Sequence, residues 1–187
     1  MDLMTNRRDA LYFVGSGLLL GSCGMATQSG SAVSTRKANL GDIPEMIAML
    51  SAYREKLAGW SPQFWQPAPG ASAMSTIYLS SLIDKEEHIF LVAEEAGEVI
   101  GFALAMGTPA PPVYAPGKTG TLDDFVVADD TLWDSVGGAL LVAAMARARD
   151  MGWEQLIAVS PKTDERKNRL FEESGLAVAS QWWTTRL

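Results

Sequence analysis

The chain has 187 residues, 48% of them hydrophobic and 20% charged; that is enough for one well-packed domain and too little for two ordinary ones. Its 22 acidic against 15 basic residues give a formal charge of -7, which argues against a general nucleic-acid binder, since such a protein needs a basic face to displace counterions. A single Cys and a single His exclude an intrachain disulfide and a cysteine-built zinc site, and argue against a histidine-rich metal centre or a histidine-based triad. No metal site is expected.

Residues 1–23 read as an address rather than as fold. Arg7-Arg8 precede an apolar run from Leu11 to Leu20, about half the twenty or so residues that span a bilayer as a helix. A basic start, a short apolar middle and small residues at the end form a secretory signal. Thr5 to Leu11 resembles a twin-arginine export signal, and Leu20-Gly21-Ser22-Cys23 resembles a bacterial lipobox, in which Cys23 would carry a lipid anchor. The expected destination is the cell envelope or periplasm, or the cytoplasm if translation starts at Met25. Residues 24–34 are small and polar and read as a flexible tether. Residues 35–187 form the folded domain.

Thr35 to Ala38 is a short strand. Ile43, Met46, Ile47, Met49, Leu50, Tyr53 and Leu57 recur at three- and four-residue steps, an amphipathic helix with Asp42 at its start and Gly59 and Pro62 at its end. Trp60 to Ala73 is a loop rich in Pro and aromatics, followed by a helix from Ser75 to Ile83 capped by Ser75. Ile89–Glu94 and Val99–Ala105 flank a turn and make a hairpin. Thr121–Val127 is the next strand, followed by a helix from about Val136 to Met151, stopped by Gly152. Gln155–Val159 is a strand, Asp164–Ser174 a charged helix, and Ala177–Thr184 a last strand. The order β-α-α-β-β-β-α-β-α-β predicts a mixed, mostly antiparallel α/β sheet with helices on both faces.

The junction from Val127 to Leu141 is where chemistry is expected. A strand leading into a helix that starts with small residues exposes unpaired N–H groups and a dipole that attract anions, and Gly137-Gly138 allow close approach of a ligand to the backbone. The same residues also allow a purely structural reading, a helix capped by Asp134 or Ser135 and packed through Gly137.

The element order, the Asp124-Phe125-Val126-Val127 strand, the Val136-Gly137-Gly138-Ala139-Leu140-Leu141 helix start and the Phe171–Leu176 ending resemble the GNAT superfamily of acyl-CoA N-acyltransferases, over residues 35–187. The resemblance implies a GNAT-like fold whose fourth strand splays from the fifth. The pantetheine arm of acetyl-CoA, the co-substrate, would lie in that gap. The turn of Leu132, Trp133, Asp134, Ser135, Val136, Gly137 and Gly138 would wrap the pyrophosphate, and Val126 and Val127 would line the arm. In the same resemblance the Val127 N–H would hold the thioester oxygen. The match differs in three places. Leu132 stands at the family's basic position, Ser135 at its first Gly, and Phe171 at the Tyr that often protonates the CoA thiolate.

Acylation of an amine needs a base for the amine proton. Asp123 and Asp124 lie on the central strand, and strict alternation places them on opposite faces. Asp124 is either that base or a solvated carboxylate at the strand start. Trp60, Phe64, Trp65 and Tyr78 build either an apolar or cation-accepting pocket or a loop packed on the sheet edge. Trp133 covers the core or stacks on an adenine. Trp182-Trp183 is packing or an oligomer contact, with a homodimer as one outcome. His88 and the charge run Lys162–Arg169 read as solvated surface. The expected function is N-acetyl transfer from acetyl-CoA to a small-molecule or peptide amine by direct attack. The alternative is a GNAT-fold binding protein without catalysis at the cell envelope.

Overall fold

Residues 32–109 and 113–186 are described in a computed structural model of the chain. The export signal, Cys23 and most of the tether lie outside the described residues. Five strands, β1 (Ser34–Lys37), β2 (His88–Glu95), β3 (Glu98–Thr108), β4 (Thr119–Val127) and β5 (Gln155–Ala158), form one sheet in chain order. The first three pairings are antiparallel and β4–β5 is parallel. The mixed, mostly antiparallel architecture expected from the element order is therefore the observed one.

Alternation of apolar residues along the strands gives the sheet two apolar faces, and each is covered by helices. On one face α1 (Ile43–Trp60) and α3 (Ala71–Leu82) bring Met46, Leu50 and Leu79 onto Phe90, Phe102, Leu104 and Val126. On the other, α4 (Gly138–Asp150) and α5 (Glu165–Glu173) bring Leu140, Leu141, Ala144, Leu170 and Phe171 onto Ala103, Ala105, Leu122 and Phe125. The β2–β3 hairpin turns through Ala96 and Gly97 at φ 53° and 85°, the left-handed pair that matches strand twist in a two-residue turn. A four-residue helix, α2 (Pro62–Trp65), interrupts the aromatic loop after α1.

Several boundaries depart from the sequence reading. Asp42 does precede α1, but its side chain makes no cap bond to that helix. It belongs instead to a capping box on the short turn Leu40–Asp42, accepting from the Asn39 N–H at 2.8 Å and from Arg36 at 2.7 Å. α1 continues through Gly59 to Trp60, because one Gly costs a helix only about 1 kcal/mol. α3 begins at Ala71, four residues before the expected Ser75 cap; Ser75 is buried within it and accepts from Arg54 Nη1 at 2.7 Å. His88 opens β2 half-buried, with Nδ1 lacking a partner among the described residues, so it is not the solvated surface residue expected. The last predicted strand, Ala177–Thr184, is absent: no strand pairs there and Val178, Trp182 and Trp183 are exposed. Apolar content alone does not make a strand without a ladder partner. The segment instead touches α2, through Trp182 edge-on to Phe64 at 6.0 Å and the Thr184 carbonyl accepting from Gln63.

Candidate active site

The site begins with a fault in β4. Leu104 pairs with Asp124 while the next residue, Ala105, pairs with Leu122, so Asp123 is the extra residue of a β-bulge. A bulge re-aims the side chains beyond it. Leu122 therefore packs into the α4 face while Asp124, two residues on, faces the α1–α3 side. The expectation that at most one of the two aspartates meets the cleft is corrected on this ground: Asp123 and Asp124 both line a cavity of about 450 Å³. Its walls include Tyr53 and Arg54 from α1, Phe64 and Trp65 from α2, Tyr78 from α3 and Lys167 from α5. Trp60 is not part of the wall; it packs edge-on against Tyr53 at 6.5 Å.

The electrostatics of this cavity are set by burial. Desolvation, then the charge of neighbouring Asp123, push the Asp124 carboxyl above the ordinary aspartate range, while Arg54 and Lys167 pull it partly back. Tyr78 is likewise raised, by burial first and then by Asp124 and Asp123. A carboxylate whose proton affinity is raised is a better base toward an ammonium or amine than one in water.

Lys167 contradicts its reading as part of a solvated helix face. It is 1% exposed, because α5 turns Asp164, Lys167, Leu170 and Phe171 inward at three- and four-residue steps. Its Nζ donates to the Phe125 carbonyl at 3.0 Å and to the Tyr53 hydroxyl at 3.5 Å. It stands 5.1 Å from the Tyr53 ring centre and 5.5 Å from those of Phe125 and Trp133. The Tyr53 hydroxyl in turn donates to Asp164 Oδ2 at 3.0 Å. Burial pushes the ammonium down to about 8, against the pull of Asp164, Asp124 and Asp123. Burial also raises the Tyr53 phenol, assisted by the Asp164 charge.

Beside this cluster the sheet opens. The β4–β5 pairs end at Leu122–Ala158, with one further bond from the Val159 N–H to the Leu122 carbonyl at 3.1 Å. The Ala128 N–H donates to Ile100 of β3 at 2.9 Å. Backbone alternation therefore turns the peptide groups of Val127 and Phe125 to the opposite edge, the one β5 has left. A length of strand edge with no strand on it can take an extended, amide-bearing ligand in the manner of an added strand.

The turn after β4 is wound tighter and wider than an α-helix start. Asp129 accepts from the Thr131 N–H at 2.8 Å and caps a 3₁₀ turn, Asp130–Leu132; a π-helical turn, Trp133–Gly137, joins it to α4. The cap is thus Asp129, and neither Asp134 nor Ser135 takes that role. Trp133, Val136 and Gly137 are buried, with the Trp133 indole edge-on to Phe125 at 5.1 Å. A Cβ on Gly137 would stand 2.7 Å from the Trp133 ring, so this Gly exists for packing. Asp134 and Ser135 face solvent, Leu132 is half-buried, and Gly138 is partly buried at the start of α4. Asp134 pairs with Arg169 at 3.2 Å, and Arg166 Nη1 donates to the Asp130 carbonyl at 3.1 Å. Two guanidinium groups from α5 therefore stand at a turn that carries no cation of its own. The Asp134 carboxylate, in the turn expected to wrap a pyrophosphate, is turned onto one of them. Val126 sits in the α1-side core, and Phe171 stacks on Phe125 at 5.8 Å. No group of His, Cys, Asp and Glu suited to a metal ion occurs among the described residues.

The model of the acetyltransferase (GNAT) family matches residues 49–176, the span from α1 through the open strand edge to the end of α5. The chain belongs to the GNAT family. Solved structures share the GNAT fold at low identity. The BH1408 protein of Bacillus halodurans, as a tetramutant, superposes with a TM-score of 0.71 at 15% identity, covering 82% of this chain and 99% of that one. A ribosomal-protein-alanine N-acetyltransferase from Brucella melitensis biovar Abortus 2308 superposes at 0.59 and 20% identity, covering 83% and 99%. A predicted acetyltransferase from Clostridium acetobutylicum, solved with acetyl-CoA, superposes at 0.62 and 16% identity, covering 82% and 96%. No curated protein sequence matches this GNAT chain. Lys167 and the Asp123 bulge are the features of its site that sequence reasoning missed.

Proposed function

We propose that the chain transfers an acetyl group from acetyl-CoA to an amine by direct attack, with Asp124 as the base that takes the amine proton. The observation that carries this reading is the opening of β4 from β5 beside a cavity holding a carboxyl of raised proton affinity. The residues fit the co-substrate. The Val127 N–H lies on the vacated edge and can donate a hydrogen bond to a thioester oxygen, while Arg166 and Arg169 stand at the turn where a pyrophosphate's charge would be met. The Tyr53, Phe64, Trp65 and Tyr78 walls with Asp123 and Asp124 favour an amine attached to an apolar or cationic body.

Calorimetry of the purified chain with acetyl-CoA, and CoA release with a panel of small-molecule amines and peptide N-termini, test this. Saturable binding and turnover are expected, and D124N is expected to lower kcat about 100-fold with little change in acetyl-CoA affinity. Turnover by D124N at the wild-type rate would remove Asp124 from the role. A second reading, a GNAT-fold protein that binds without catalysing, is favoured by the aliphatic Leu132 at the turn and the stacked Phe171; binding with no turnover of any amine would support it. We also propose that residues 1–23 export the protein and that Cys23 is acylated. Palmitate incorporation in cells that is lost in C23A is the expected result, and labelling of neither protein would contradict it.

A further inference from the structure

A buried ammonium needs a reason, since removing a cation from water is costly unless it is paired. Lys167 makes no ion pair within 4.0 Å among the described residues; its nearest bonds go to a carbonyl and a phenol. An ammonium has three N–H donors, and two are accounted for, so one remains. The Trp133 indole beside it holds a further buried N–H without an acceptor among the described residues. The Phe125 carbonyl that Lys167 holds lies on the vacated edge of β4, two residues before Val127, and Lys167 also forms part of the wall of the Asp124 cavity. The cation therefore sits where the open edge and the cavity meet, with donor capacity left over for an atom that gains negative charge there.

We propose that Lys167 is the proton donor to the leaving thiolate, a role that rests on the acyl-transfer reading above. The amine nitrogen attacks the thioester carbon, the C–N bond forms and the C–S bond breaks. The attacking nitrogen's surplus proton goes to Asp124 and the electron pair of the C–S bond goes to sulfur. Lys167 Nζ gives sulfur its proton and is left neutral, to be reprotonated from water. Products are an amide and a free thiol. The depressed proton affinity of the buried amine suits a group that must give its proton up near neutrality.

Two measurements test this, with K167M and, as a second variant that keeps a donor but no charge, K167Q. The first needs no turnover: the thiol of CoA bound to the full chain is titrated by thiolate absorbance. In the wild type it should ionise at least about one unit below free CoA, and in both variants that shift should vanish. The second compares leaving groups. Loss of a proton donor should slow transfer from acetyl-CoA about 100-fold and leave transfer from an aryl thioester, whose thiolate needs no proton, near wild type. CoA binding with the same thiol titration in wild type and variants, or an equal loss with both donors, would overturn the role of Lys167 while leaving acyl transfer intact. A wild-type chain that binds no CoA at all would overturn acyl transfer itself, and this role with it.

Discussion

Lys167 holds its charge against desolvation with three aromatic rings, one carbonyl and one phenol oxygen around it, and the cost of that burial should be visible in stability. Its proton affinity is lower folded, about 8, than the ordinary 10.5 it has unfolded. Between those values the unfolded chain binds more protons, so stability rises with pH across that window and is flat from this group below it. The full difference is roughly 3 kcal/mol at about 1.4 kcal/mol per unit. Denaturant titrations at pH 8 and pH 10 should show the wild type gaining stability relative to K167M, and parallel behaviour would mean the amine is solvated. The opposing effect of Tyr53, whose raised phenol favours the folded state's protonated form, sets in at the upper end of that range and is shared by both proteins. Activity should have two limbs. It rises as Asp124 loses its proton, above the ordinary carboxylate range, and falls as Lys167 loses its own near 8; kcat/KM profiles of D124N and K167M should each lose one limb. Asp124 was legible in the sequence as a strand carboxylate. Lys167 was hidden in a charge run, although its spacing of three and four from Leu170 and Phe171 marks the inward face of α5.

At the scale of elements, the mixed sheet, the hairpin and both covering layers follow from alternation and helical spacing. The bulge does not, because one extra residue in β4 leaves no mark in a sequence beyond a broken alternation, and Asp123-Asp124 breaks it with two polar residues that read equally well as a strand start. The cap falls on Asp129 and not on the expected Asp134 or Ser135 for a similar reason: Asp129, Asp130, Asp134 and Ser135 are all good caps, and the sequence does not show that Trp133 is buried in a π-helical turn that starts after the capped one. Two glycines separate fold from site. A Cβ on Gly120 would fall within the Trp153 ring, so G120A should cost about 1–3 kcal/mol as overpacking with acetyl-CoA affinity unchanged. G137A would push on Trp133 from 2.7 Å and shift the turn, so calorimetry should show weaker acetyl-CoA binding. Equal affinities in the two variants would mean that the turn does not contact the co-substrate.

For the molecule as a whole, the two apolar faces of the sheet close the fold and the departure of β5 from β4 opens it. The cavity on the α1–α3 side and the vacated edge converge at Phe125 and Lys167, so an acceptor and a donor can arrive from different directions and meet there. The last predicted strand fails at this scale. Ala177–Thr184 has the composition of a strand, but pairing is a property of neighbours and not of one segment. The most direct test is an amide NMR titration of the full chain with acetyl-CoA. The Val127 amide should move saturably and gain protection from exchange, together with amides of the 130–135 turn. An unmoved Val127 amide at millimolar acetyl-CoA, or shifts confined to other faces of the sheet, would contradict the account.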